Sequence, residues 1–398
     1  SVAPLGLSVA ALWLTNSPAA VMGSYLLAIL ALGMWILERR PWPALRATGG
    51  MALGLGLAAF YIVPAAYEQR WVQIGRAITP GMRVQDSFLF AHTANDFHNQ
   101  VLRTASWIFV AEMIVGAIAA YLAWRKRADG YARVVLAACL PMVLILQLPV
   151  SDVIWKYTPH LKFLQFPWRW VLPLSVVTCV LAAMALSGSL VRGLRTRLLS
   201  FALILVLAIG GGWLFFQPCD DEDAVGAQVA AFQQGQGTQG TDEYTPVGAD
   251  NASVQQDLPL VRVLRTAKDD AAESSKGDNP EWRAGDPGTV AAQVTAKPWN
   301  AEHWMVNLLT PENGYAVLRL MDYPSWQVVV DGRRIVNRPS RKDGLMTVPV
   351  TAGNHTIEVQ WGATRDIVAG RVLTVLAVLG LVGTVVLEGR VGTVDTFE

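Results

Sequence analysis

Long apolar runs recur along this chain, at 2–14, 20–37, 47–67, 104–124, 133–150, 170–188, 198–216 and 367–387. A bilayer core takes about 20 mostly apolar residues per helix, so every run except the first is long enough to cross one. In lipid the backbone must satisfy its own hydrogen bonds, which makes each run a helix. With 53% hydrophobic and 16% charged residues over 398 positions, the composition excludes a set of ordinary soluble domains. The first run, Val2–Leu14, is a stub, and Ser1 has neither an initiator Met nor a basic stretch before it, so the N-terminus reads as a cut.

The basic residues fall in alternate connections. Arg39, Arg40 and Arg46 share one, Arg125, Lys126, Arg127 and Arg133 the next, and Arg192, Arg195 and Arg197 the third. The positive-inside rule makes these three cytoplasmic and puts 68–103, 151–169 and 217–366 outside, with both chain ends cytoplasmic. The net charge of +1 gives no reason to expect a nucleic-acid partner.

The segment 217–366 is poor in apolar runs. It opens with Asp220, Asp221, Glu222 and Asp223 and a Gln/Gly/Thr-rich piece, Phe232 to Thr241. The acidic cluster lacks the spacing of a calcium loop and reads as a solvated face. Alternating segments follow at 259–265, 289–295, 303–309, 314–320, 326–330, 345–350 and 355–361, with turn pairs at Asp331-Gly332, Asp343-Gly344 and Gly353-Asn354. The expected fold is therefore a polytopic α-helical membrane bundle with an antiparallel β-sandwich before the last helix. Its parts are a helical region 1–216, an outer domain 217–366, a last helix 367–387 and a tail 388–398. Cys139 and Cys179 lie in apolar runs and Cys219 just outside one, too scattered for a disulfide framework or a zinc site.

Two outer segments hold the candidate chemistry. In 68–103, His92 and His98 flank Asp96, a set compatible with metal ligation or proton transfer and equally with an interfacial loop of polar caps and aromatic anchors. In 151–169, Trp155, Tyr157, Phe163, Phe166 and Trp168 accompany Lys156, Lys162 and Arg169. This composition places the segment in the membrane interface. Pro167 suits the first turn of the following helix, leaving Arg169 where a guanidinium can grip a lipid phosphate in bidentate fashion or simply snorkel. Glu112 is the clear ionisable residue inside a run, and Pro64, Pro141 and Pro173 are expected to kink theirs. His303 and His355 show no nucleophile-and-base pattern, and the sequons at Asn251 and Asn354 are common by chance.

Trp13-Leu-Thr-Asn-Ser-Pro18 and Leu164-Gln-Phe-Pro-Trp-Arg-Trp170 resemble large bacterial polytopic membrane proteins often labelled 6-pyruvoyl-tetrahydropterin synthase-related, which look like GT-C-type glycosyltransferases. Tyr323-Pro-Ser-Trp326, Val330-Asp-Gly332, Ala352-Gly-Asn-His355 and Gly370 resemble the outer β-domain of YfhO-type membrane proteins, a related group. The resemblance covers about Trp13 to Leu387. It implies a bacterial inner-membrane transferase that takes a sugar from a polyprenyl-phosphate donor at the outer face, using an acidic residue in the first outer loop and often a divalent metal. That loop would precede this chain, so the distal part is what is present. Arg169, with Trp168, Gln165, Lys162 and His160, is then expected to hold the lipid-linked phosphate, and Asp86 and Asp96 are secondary candidates for the catalytic acid. The competing expectation is a non-enzymatic membrane scaffold whose outer β-domain binds envelope material. A transporter is disfavoured by the few intramembrane charges and the lack of paired broken helices.

Overall fold

The computed structural model describes residues 1–125, 130–186, 242–249, 259–267, 288–300, 302–341 and 343–394, with isolated positions between 198 and 230. The 198–216 run, Lys126, Arg127, Arg192, Arg195, Arg197, Cys219, the 220–223 cluster, the 232–241 piece and the Asn251 sequon lie largely or wholly outside them. The chain divides into two compact units. One comprises Ser1–Val63, Ala77–Gln217 and Ala369–Glu398, the other Pro64–Arg76 and Pro218–Val368. The second unit thus takes in a stretch of the 68–103 segment together with the β-rich part.

The helices are α1 (Val2–Thr15), α2 (Ser17–Glu38), α3 (Trp42–Leu57), α4 (Ala59–Glu68), α5 (Asp96–Arg125), α6 (Gly130–Leu146), α7 (Asp152–Tyr157), α8 (Val171–Leu186) and α9 (Arg365–Val394), and all but α7, which lies in the 151–169 connection, follow the apolar runs. Among the described residues four stretches are long and apolar enough to cross a membrane: Ser17–Glu38, Asp96–Arg125, Pro167–Leu186 and Arg365–Glu388. Two bent pairs raise the number to as many as six.

Three runs differ from the helices they announced. The 47–67 run is two helices bent by 77°. The break comes at Ala58 and not at Pro64, which α4 carries inside it. The freed Phe60 N–H donates to Thr374 Oγ1 of α9 at 2.9 Å. The 133–150 run ends at Leu146 and turns through 94° into Pro149–Tyr157. Helix α5 begins at Asp96, two turns before the apolar run, because Asn95 Oδ1 accepts the His98 N–H at 3.0 Å and caps it. Asp96 in the first turn also suits the positive end of the helix dipole.

Small residues let these helices approach closely. A Cβ on Gly54 would stand 2.7 Å from Gly6 O, and one on Gly50 2.6 Å from the Leu5 side chain, so α1 lies directly on a Gly-x-x-x-Gly face of α3. Gly370 of α9 meets Ala59 O the same way, at 2.6 Å from the added Cβ. The core of the first unit gathers Met22, Phe109, Leu140, Val143, Leu174 and Leu181. Val84 and Phe88 from one connecting segment, and Trp155, Leu161 and Leu164 from the other, are buried in the same cluster. Both connections are therefore part of the packed structure.

The second unit contains strands β1 (Val261–Leu264), β2 (Gln293–Asn300), β3 (His303–Thr310), β4 (Gly314–Met321), β5 (Trp326–Val330), β6 (Arg333–Ile335), β7 (Leu345–Val350) and β8 (Gly353–Trp361). They form two antiparallel sheets, ordered β1-β4-β7 and β2-β3-β8-β5-β6. Val263, Leu318, Met346 and Val348 of the first share one apolar core with Val306, Leu308, Val328, Ile357 and Val359 of the second. Alternation put β3, β4, β5, β7 and β8 where the sequence reading had them. Strand β2 lies later than the expected 289–295 and carries Pro298, which an edge strand tolerates because one side of it has no ladder partner. The Asp331-Gly332 pair turns β5 into β6 with φ of 50° and 79°, the backbone of a tight hairpin.

Candidate functional site

The turn between α1 and α2 is built by one side chain. Asn16 closes α1 through its N–H to Leu12 O at 3.0 Å, and its Oδ1 accepts the Ala19 N–H at 2.9 Å to open α2. Pro18 follows in the first turn, where its missing N–H costs nothing.

The 160–170 segment is held tightly. His160 has φ 57° and Gln165 φ 61° with ψ −49°. At Gln165 the Phe166 N–H donates back to Leu164 O at 2.6 Å, a γ-turn of positive φ that is rare and strained for a residue with a Cβ. Four contacts offset that strain. Gln165 Nε2 donates to Ala77 O at 2.6 Å, Arg169 Nη1 to Leu164 O at 2.9 Å, and the Arg169 N–H to Phe166 O at 3.1 Å. The buried Gln147 donates through Nε2 to Pro167 O at 2.7 Å, while its own carbonyl accepts the Leu89 N–H. Gln147 thereby ties the two connecting segments together. Phe166 is extended before Pro167, as a residue preceding proline must be, and Pro167–Trp170 winds as a 3₁₀ turn into α8.

This geometry places Trp168 and Arg169 on one wall of a cleft of about 770 Å³. Asn16, Pro18 and Met22 form another wall, and Phe97, Gln100, Val101 and Thr104 of α5 a third. The cleft is mostly apolar, and Arg169 is the one charged side chain among its lining residues. The guanidinium lies 4.9 Å from the Phe166 ring centroid, and Phe166 stacks on Trp168 at 5.4 Å and 18°. One N–H is spent on Leu164 O, which leaves the others of the fork for an anion.

The remaining expected residues do other work. Gln165 braces its own loop and does not line the cleft. Lys162 is exposed with Nζ 5.1 Å from the Phe163 ring centroid, and the exposed His160 lies 6.4 Å from the same ring. Asp86 Oδ2 accepts the Gly81 N–H at 2.8 Å, and its carbonyl accepts from His98 Nε2 at 3.1 Å, so both groups shape the 81–98 backbone. Asp96 is exposed and lines a separate hollow of about 430 Å³ with His92, Gln100 and Arg103. Gln100 borders this hollow and the cleft alike. Glu112 is half-buried and lines neither.

The α5 wall was missed in the sequence. Phe97, Val101, Thr104 and Ile108 recur at helical spacing, a signal that was available had the helix been started at Asp96. Among the described residues no three or more His, Cys, Asp or Glu side chains gather in one place. Comparison of the chain with family models, with curated proteins and with solved structures finds no match.

Proposed function

We propose that the Arg169 cleft binds a polyprenyl-phosphate-linked sugar and that the chain is the distal part of a GT-C-like glycosyltransferase. In this reading the apolar helices form a polytopic bundle in a bacterial inner membrane. The two sheets are its extracytoplasmic β-sandwich, and the C-terminus is cytoplasmic. One observation carries it. The two stretches that bear the resemblance, Trp13–Pro18 and Leu164–Trp170, contribute Asn16, Pro18, Trp168 and Arg169 to a single apolar cleft with one guanidinium in its wall. Such a cleft suits a long apolar chain ending in an anion.

In the bound state Arg169 pairs with the phosphate while its bond to Leu164 O and its contact with Phe166 keep the fork aimed. Trp168 and the α5 face cover the first isoprene units. The divalent metal that the resemblance implies does not fit these residues. Asp86 is committed to its own turn, and Asp96 belongs to no acidic or imidazole cluster among the described residues.

The test is binding of polyprenyl phosphate to the detergent-purified chain. A charge-assisted pair of about 1.5–3 kcal/mol means that Arg169→Ala weakens binding roughly 10- to 150-fold, with Arg169→Lys in between. Unchanged affinity in Arg169→Ala removes the cleft from consideration. The scaffold reading has one observation of its own, a polar hollow of about 390 Å³ on the five-stranded sheet lined by Thr295, Asn307, Asp331, His355 and Thr356. It predicts that the full chain retains envelope polysaccharide and that Asn307→Leu abolishes retention. Equal retention by that variant dismisses it.

A further inference from the structure

Two carboxylates meet inside the second unit. Glu68, the last residue of α4, and Asp366, in the first turn of α9, stand within hydrogen-bonding reach of each other. Asp366 is only 6% exposed. Glu68 Oε2 accepts the Tyr323 hydroxyl at 2.8 Å, but Glu68 Oε1 and both Asp366 oxygens are buried with no hydrogen-bond partner.

Tyr323 is itself fixed, stacked on Trp361 at 5.8 Å and 9° and set edge-on to Trp71 at 5.4 Å. Burial, and then the bond to Glu68, push its hydroxyl well above the usual phenol range, so it remains a donor. Among the described residues no cation pairs with either acid. Arg70, two residues after Glu68, instead lies over the Tyr67 ring at 3.6 Å and near Trp71 at 5.5 Å. Thr364 Oγ1, two residues before Asp366, is also buried and unpartnered.

Two adjacent acids, one of them almost fully buried and with both oxygens unpartnered, are costly to hold in charged form, because each charge loses hydration and repels the other. The atoms left over are all oxygens, the donor type that hard cations take and soft ones do not. We propose that Glu68 and Asp366 bind a hard divalent cation of the calcium class. Tyr323 orients the Glu68 carboxylate and leaves Glu68 Oε1 and the two Asp366 oxygens for the ion. The ion ties the end of α4 to the start of α9, segments far apart in the chain. This site is independent of the Arg169 cleft and of the transferase reading.

The experiment uses the full chain in detergent, stripped with chelator and titrated with terbium, whose luminescence is excited through neighbouring aromatic rings such as Tyr323 and Trp361. The expected result is a saturable signal displaced by calcium. Affinity falls at least tenfold in Glu68→Gln and in Asp366→Asn and is unchanged in Glu312→Gln, an exposed acid paired with Arg265 elsewhere on the β-unit. If the first two variants do not fold, the wild-type chain alone decides, since calcium must raise its unfolding temperature above that in chelator. Absence of a displaceable signal, equal affinity in Asp366→Asn, or stability that follows pH but ignores calcium overturns the proposal. The last result would mean that the two acids share a proton instead.

Discussion

Gln165 offers a test in which glycine and alanine exchange their usual order. Its φ of 61° places Cβ against the backbone, and its side chain donates to Ala77 O at 2.6 Å. Gln165→Ala keeps the Cβ and loses the bond, at a cost of about 1 kcal/mol. Gln165→Gly loses the same bond but relieves roughly 1–2 kcal/mol of left-handed strain. It gives back roughly 0.4–1 kcal/mol to the looser unfolded chain. The glycine variant should therefore be at least as stable as the alanine variant, by up to about 1.6 kcal/mol, a difference in unfolding temperature of no more than about 3–6 °C. Thermal unfolding of the purified chain, followed by intrinsic fluorescence, is the assay. An alanine variant clearly more stable than the glycine one would falsify the γ-turn assignment. The glycine variant should nevertheless bind polyprenyl phosphate more weakly than wild type, because the turn that aims Arg169 is no longer held.

Other expectations follow from packing and charge. Gly370→Ala drives a Cβ to 2.6 Å from Ala59 O and should cost about 1–3 kcal/mol in the same unfolding assay, whereas Gly383→Ala, with open space around it, should be nearly silent. Gln147→Leu removes the donor to Pro167 O inside the core and should cost about 1–3 kcal/mol, and no loss of stability would show that this tie is dispensable. Asp331 is held below the usual carboxylate range by the Thr356 N–H and then by His355. A folded pKa below the unfolded one gives stability that is present above the unfolded value, about 3.9, and is lost as pH falls through the folded value. Unfolding measured between about pH 2 and 5 should therefore show a shallower acid limb in Asp331→Asn, and identical limbs would refute the linkage.

The apolar runs located most helices because burial or lipid demands the same residues that hydropathy counts. Their boundaries were legible only where the polar flank was short. Asp96–Arg103 is polar yet helical, since Asn95 capping and the dipole supply what hydrophobicity does not. The bend at Ala58 carries no sequence flag; the proline that does, Pro64, sits inside a continuous helix. Arg169 and Trp168 were singled out because an aromatic and a cation before a helix are both expensive to misplace, and both line the cleft. Gln165, Lys162 and His160 came from the resemblance, and they lie outside the cleft lining, two of them on backbone of positive φ. The pairing of Glu68 with Asp366 was out of reach for the same reason that Thr374 was: both depend on contacts between segments hundreds of residues apart.

The Phe60 to Thr374 hydrogen bond sets an order of events for the ribosome and the insertion machinery. In the membrane placement proposed above, the broken third span leaves the translating chain with an open peptide donor long before its acceptor has been made. The early helices must therefore wait, sheltered by water or a chaperone, until α9 arrives to close the gap. A nascent chain stopped before residue 365 consequently has its packed core but carries one peptide donor, the Phe60 N–H, without its acceptor.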